Sequence, residues 1–189
     1  MILGEEDRKK YPNCTRLLTN LGSTVRAQPD VLKAFLDVCK ADDQFKSTDQ
    51  QVEAIAQRAL RWSTPPTIEV EKGLIKAVAG GKSVEACGWN NSFRTPVLIE
   101  ITSFWFDAFE FGSPADRAKN TVRLTRTVLH ELVHWVRNEA GASDDALDGS
   151  LFRGGHYREA GELFEERAFG VASLCNDNEL GDAILSRRT

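Results

Sequence analysis

Leu129-His130-Glu131-Leu132-Val133-His134-Trp135 is the stretch on which the reading of this chain turns. It lies in a segment opened by Ser113-Pro114 and running to about Gly141, in which Val122, Leu124, Val128, Leu129, Leu132, Val133 and Val136 recur at three- and four-residue spacing. That spacing predicts a long amphipathic helix with a broad apolar face turned to the core. Two of the three histidines in the chain stand four apart within it. On a helix such residues lie one turn apart on the same face, so both imidazoles can grip one metal ion while Glu131 projects alongside.

The spacing has a chemical purpose. Zn²⁺ in hydrolytic sites takes three protein ligands and keeps a fourth position for water, whose pKa falls toward neutrality so that a nearby carboxylate can accept its proton. His130 and His134 are therefore candidate zinc ligands, and Glu131 is the candidate general base. A third-ligand histidine six residues after the second is excluded, because Arg137 stands where that pattern needs glycine and Ala140 where it needs histidine. The strongest remaining candidate is Glu162, in a segment where Leu163, Phe164, Ala168 and Val171 predict another buried helix. Glu162 and Glu166 are four apart, so one can bind the metal while the other accepts the second N–H of a ligating histidine. Asp144, Asp145, Asp148 and His156 are rivals for the third position. The run Glu159, Glu162, Glu165 and Glu166 also reads as a solvated acidic helix face.

Toward the N-terminus the character of the chain changes. Residues 1–62 read as helical: Pro29 suits a first helical turn, Val31, Leu32, Phe35, Leu36 and Cys39 follow on one face, and Ser47 or Thr48 can cap a second helix carrying Val52, Ile55, Ala56 and Leu60. Residues 63–112 read as a small sheet, with strands at Thr67–Glu71 and in Pro96–Thr102, turn chemistry at Gly80-Gly81, and an aromatic patch from Phe104 to Phe111 assigned to core packing. Residues 113–175 then hold the zinc-ligand helices. With no repeat or linker, residues 1–189 read as a single α+β domain, mostly helical, with a small mixed or antiparallel sheet beside the active helix.

Composition narrows the function classes. The chain has 189 residues, 24 basic and 28 acidic, a formal charge of −4, and 41% hydrophobic residues, which suits an ordinary globular protein. No dense Lys/Arg block supplies the footprint of a nucleic-acid binder. No apolar run reaches a membrane span, and the opening residues lack the form of a signal peptide. Cys14, Cys39, Cys87 and Cys175 contain no C-x-x-C pair, so they read as small buried hydrophobes, with disulfides left open.

H-E-L-V-H-W at 130–135 with G-E-L-F-E-E at 161–166 resembles the gluzincin pattern, in which a glutamate on a later helix is the third zinc ligand. More closely, R-x-x-L-H-E-L-V-H-W from Arg126 with G-H-Y-x-E-A-G-E-L-F-E-E from Gly155 is similar to metallopeptidase toxin domains of bacterial polymorphic toxins and type VI secretion effectors. The resemblance implies a zincin-like fold whose edge strand, here Val97–Thr102, aligns an extended peptide. It implies peptide-bond hydrolysis with Zn²⁺ on His130, His134 and Glu162, Glu131 as base, and Tyr157 or His156 stabilising the oxyanion. Delivery into a target cell without a signal peptide, a protein or peptide substrate and an immunity protein as partner follow from the same resemblance. Two other readings share these residues: a non-catalytic zinc-stabilised binding domain, and a zinc hydrolase acting on a cell-wall amide.

Overall fold

The fold is known from a computed structural model, which describes residues 1–41, 47–73, 75–78, 82–85, 88–90, 97–142, 152–153, 156–157 and 159–170. The Gly80-Gly81 turn, the aspartates at 144, 145 and 148, Cys87 and Cys175 lie outside the described residues. A short strand β1 (Ile2–Leu3) precedes four helices, α1 (Glu5–Lys10), α2 (Pro12–Arg26), α3 (Pro29–Lys40) and α4 (Asp49–Ala59). Prolines open α2 and α3, where the missing N–H costs nothing. Thr48 and Gln51 close a reciprocal capping box on α4.

The start of α2 is satisfied from elsewhere in the chain. Tyr11 makes no side-chain cap there. Instead the buried carboxylate of Glu110 accepts the backbone N–H groups of Asn13 at 2.9 Å and Cys14 at 3.0 Å, and the Asn13 side-chain amide at 2.7 Å. Glu110 belongs to α5 (Ser103–Phe111), which follows strands β2 (Thr67–Glu71), β3 (Ile75–Val78), β4 (Lys82–Glu85), β5 (Gly88–Asn90) and β6 (Leu98–Thr102). Of the aromatic patch, Trp105, Phe106 and Phe109 are buried as expected, whereas Phe104 and Phe111 stand exposed. Cys14 and Cys39 are buried free thiols, their pKa values pushed up chiefly by that burial.

The main sheet has the order β1-β2-β6-β5. β1, β2 and β6 run parallel, and β5 pairs antiparallel with β6. An all-antiparallel sheet is thereby overturned, because the helices α1 to α4 carry the chain from β1 to a parallel β2, as parallel neighbours require. The expected edge position of β6 is also corrected. β6 is bonded on both sides, and β5 lies at the end of the sheet. Ile68, Ile99 and Ile101 alternate onto the buried face, leaving Glu69, Glu71 and Glu100 on the other.

Under that face runs α6 (Arg117–Glu139), which touches β5, β6, α3, α4, α5 and α7. Its 23 residues span about 35 Å at the helical rise. Leu124, Val128, Leu129, Leu132, Val133, Trp135 and Val136 on it are buried, as the periodicity predicts. After β7 (Phe152–Arg153) and β8 (His156–Tyr157), helix α7 (Ala160–Phe169) packs on α3 and α6. No helix of the described residues is long and apolar enough to cross a membrane.

Candidate metal centre

His130 and His134 occupy consecutive turns of α6, with ring centroids 5.1 Å apart. The chain returns to them at the start of α7. Glu159, the residue before the helix, has extended backbone, and its side chain makes no cap bond to its own helix. Its carboxylate reaches across instead, with Oε1 2.8 Å from His130 Nε2 and Oε2 3.6 Å from His134 Nε2. One ligand atom from each of the three residues lies within 4.8 Å of the others, a spacing that can hold a metal ion.

Glu131 is buried beside this group, with Oε1 4.0 Å from His130 Nε2. Gly88 of β5 lies against it so closely that a Cβ there would fall 2.6 Å from Glu131 Cγ and Oε1. Gly161 makes the matching approach on the other side, where a Cβ would fall 2.4 Å from Cδ2 and Nε2 of His130. Both glycines therefore provide room for a side chain of this group, Glu131 at Gly88 and His130 at Gly161. Behind His130, Glu165 Oε1 is 2.9 Å from Nδ1, and Arg126 Nε is 3.5 Å from the same carboxylate oxygen.

Charge dominates the site. Burial alone would lower the pKa of His130, but hydrogen bonds to Glu159 and Glu165 outweigh it and hold the imidazole well above its ordinary value of 6.5. Burial likewise works against ionised Glu159, yet its bonds to His130 and His134 hold the carboxyl far below its ordinary value of 4.5. The cluster is thus a pair of imidazoles facing an anion.

His130, Glu131 and His134 come together as their spacing predicts. Glu162 is absent from the three-residue group, and the carboxylate brought to the histidines is Glu159. Similarly, the carboxylate at His130 Nδ1 belongs to Glu165, not to Glu166. The reason is rotational. Gly161 and Glu165 are four apart and face His130 together, and Glu162 is turned about 100° from Gly161 around α7. The backbones of Tyr157 and His156 lie in β8, paired with Phe152 and Arg153, while their side chains lie outside the described structure. Helical spacing gives Glu159, Glu165, Arg126 and Gly88 no role, although Arg126, Glu159 and Glu165 are fixed positions of the two quoted motifs; Gly161 inside a helix is a further signal, since glycine there marks a close approach.

The family model described as metallopeptidase toxin 3 matches residues 7–170. The chain belongs to this family. No curated protein and no solved structure matches it. The metallopeptidase toxin 3 match runs from α1 to the end of α7, so it takes in the N-terminal helices as well as the site. Membership indicates a peptidase that uses a metal ion, and the donor set fits one: two imidazoles and a carboxylate converge beside a buried glutamate.

Proposed function

We propose that this member of the metallopeptidase toxin 3 family is a zinc-dependent, zincin-like endopeptidase, the toxin domain of an effector delivered into a target cell. The supporting observation is the convergence of ligand atoms from His130, His134 and Glu159 within 4.8 Å, beside Glu131. Two imidazoles and one carboxylate are the donor types and number that Zn²⁺ of the hydrolytic kind takes from a protein. Such an ion, when bound, supplies Lewis acidity and makes water acidic near neutral pH.

The remaining work falls to the chain. His130 and His134 present Nε2 atoms from one rigid helix, and Glu159 completes the set from the start of the next. Glu131 accepts the proton of the attacking water and returns it to the leaving amine, a role its burial among the ligands supports. β5, at the end of the sheet and in contact with α6, is the strand along which an extended substrate main chain would lie. Tyr157, two residues before Glu159, is the candidate for stabilising the oxyanion.

Metal content and peptide cleavage test this together. Wild type should carry one zinc per chain; Glu159→Ala should lose it while Glu162→Ala keeps it. The reverse pattern would return the third position to Glu162. Glu131→Gln should keep zinc and lose about 10²- to 10⁴-fold in cleavage rate. Cleavage by that variant at the wild-type rate would exclude Glu131 as the base, and a zinc-bearing wild type without hydrolytic activity would favour a binding domain.

A further inference from the structure

Buried charges outside the ligand set occur on both helices of the site. Arg126 lies one turn before His130 on α6, and Glu165 lies on α7; their side chains are only 6% and 4% exposed. A buried ion pair of this kind is weak evidence for stability, because desolvation offsets most of its attraction. Its geometry points elsewhere. Glu165 Oε1 stands 2.9 Å from His130 Nδ1 and 3.5 Å from Arg126 Nε, so one oxygen joins the guanidinium to the back of the imidazole. The front of the same ring, Nε2, faces Glu159 and the candidate metal position.

We propose that Arg126 and Glu165 are positioning residues that fix His130 as an Nε2 metal donor. This rests on the reading of His130 as a ligand. A carboxylate at Nδ1 accepts that nitrogen's hydrogen, which leaves the Nε2 lone pair for the metal and locks the ring's rotation. Arg126 supplies the countercharge that lets an anion sit so deep behind the ring. Because Arg126, His130 and His134 follow one another at four-residue intervals, one helix face carries the countercharge and both imidazoles. Gly161, four residues before Glu165, brings α7 close enough for the carboxylate to reach.

The test is zinc affinity by competition with a chromophoric chelator, with ¹⁵N NMR of the imidazoles in the zinc-loaded protein. Wild type should show Nδ1-protonated, Nε2-bound His130. Glu165→Leu and Arg126→Met should weaken zinc binding about 10- to 100-fold, with Arg126→Lys restoring most of the loss because an ammonium returns the charge. Glu165→Leu should also blur the His130 tautomer signature while leaving that of His134 in place. Far-UV circular dichroism identifies any variant that fails to fold, and Glu165→Gln, which preserves size, then replaces it with the same expected direction. Wild-type affinity and an unchanged His130 signature in folded Glu165 and Arg126 variants would overturn the proposal. A wild type that binds no zinc would instead overturn the ligand assignment itself.

Discussion

Glu110 and Glu165 are both buried, at places that ask different things of them. Glu110 on α5 accepts three N–H groups from Asn13 and Cys14 at the start of α2, so its charge completes a helix that has no local cap. Glu165 on α7 meets an imidazole and a guanidinium, and its charge acts on a group that faces the candidate metal position. The contrast teaches that burial of a carboxylate says little about its purpose. Its partners decide: backbone donors make Glu110 part of the fold, whereas a titratable ring makes Glu165 part of the site.

The sharpest way to break that division is to disturb the site without removing any polar group. Gly161→Ala would place a methyl 2.4 Å from the His130 ring, and Gly88→Ala would place one 2.6 Å from the Glu131 side chain. Both contacts are too short to survive, so the ring or the carboxylate must move. Gly161→Ala should lose zinc and activity together. Gly88→Ala should retain zinc yet lose about 10²-fold or more in cleavage, as a displaced base would. Equal loss of zinc in both variants would mean that Glu131 and the ligand set move as one unit.

Glu110→Ala is the complementary experiment at the other end. Leaving the N–H groups of Asn13 and Cys14 unsatisfied should cost about 1 to 3 kcal/mol, read as a fall of several degrees in melting temperature. Zinc affinity and activity per folded molecule should not change. A drop in zinc affinity would show that α2 and the site are coupled through α5 and α6, which are in contact.

The same contrast explains how far the sequence could be read. Helical periodicity exposed α3, α4 and α6, and the four-residue histidine spacing placed His130, Glu131 and His134 together, because each of those signals is local. Strand β2 is legible by alternation and β6 by its apolar run, but the order of the sheet is not: the pairing of β1 with β2 joins residues more than sixty positions apart. The third carboxylate failed for a subtler reason. Regular spacing selects residues within a helix, and Glu159 precedes its helix, where extended backbone frees its side chain to reach back to α6. Glu110 has no local signature at all, since its partners lie nearly a hundred residues away.

The smallest effect expected is on stability against pH, and it separates Glu110 from Glu159, the carboxylate that faces both histidines. In the metal-free protein the raised pKa of His130 contributes stability that is complete below its ordinary value of 6.5 and is lost as pH rises through the raised value. The lowered pKa of Glu159 contributes stability present above its ordinary value of 4.5 and lost as pH falls toward the depressed one. Both contributions are therefore full between about 4.5 and 6.5, and the metal-free melting temperature should peak there and decline toward pH 8. Zinc must displace the proton on His130, so the increase in melting temperature on adding zinc should grow from pH 5.5 to pH 8. Glu110→Ala should lower the whole curve without altering its shape, whereas Glu159→Gln should flatten it. A zinc-induced increase that stays constant across this range would show that no proton leaves His130 on binding, and would remove that ring from the ligand set.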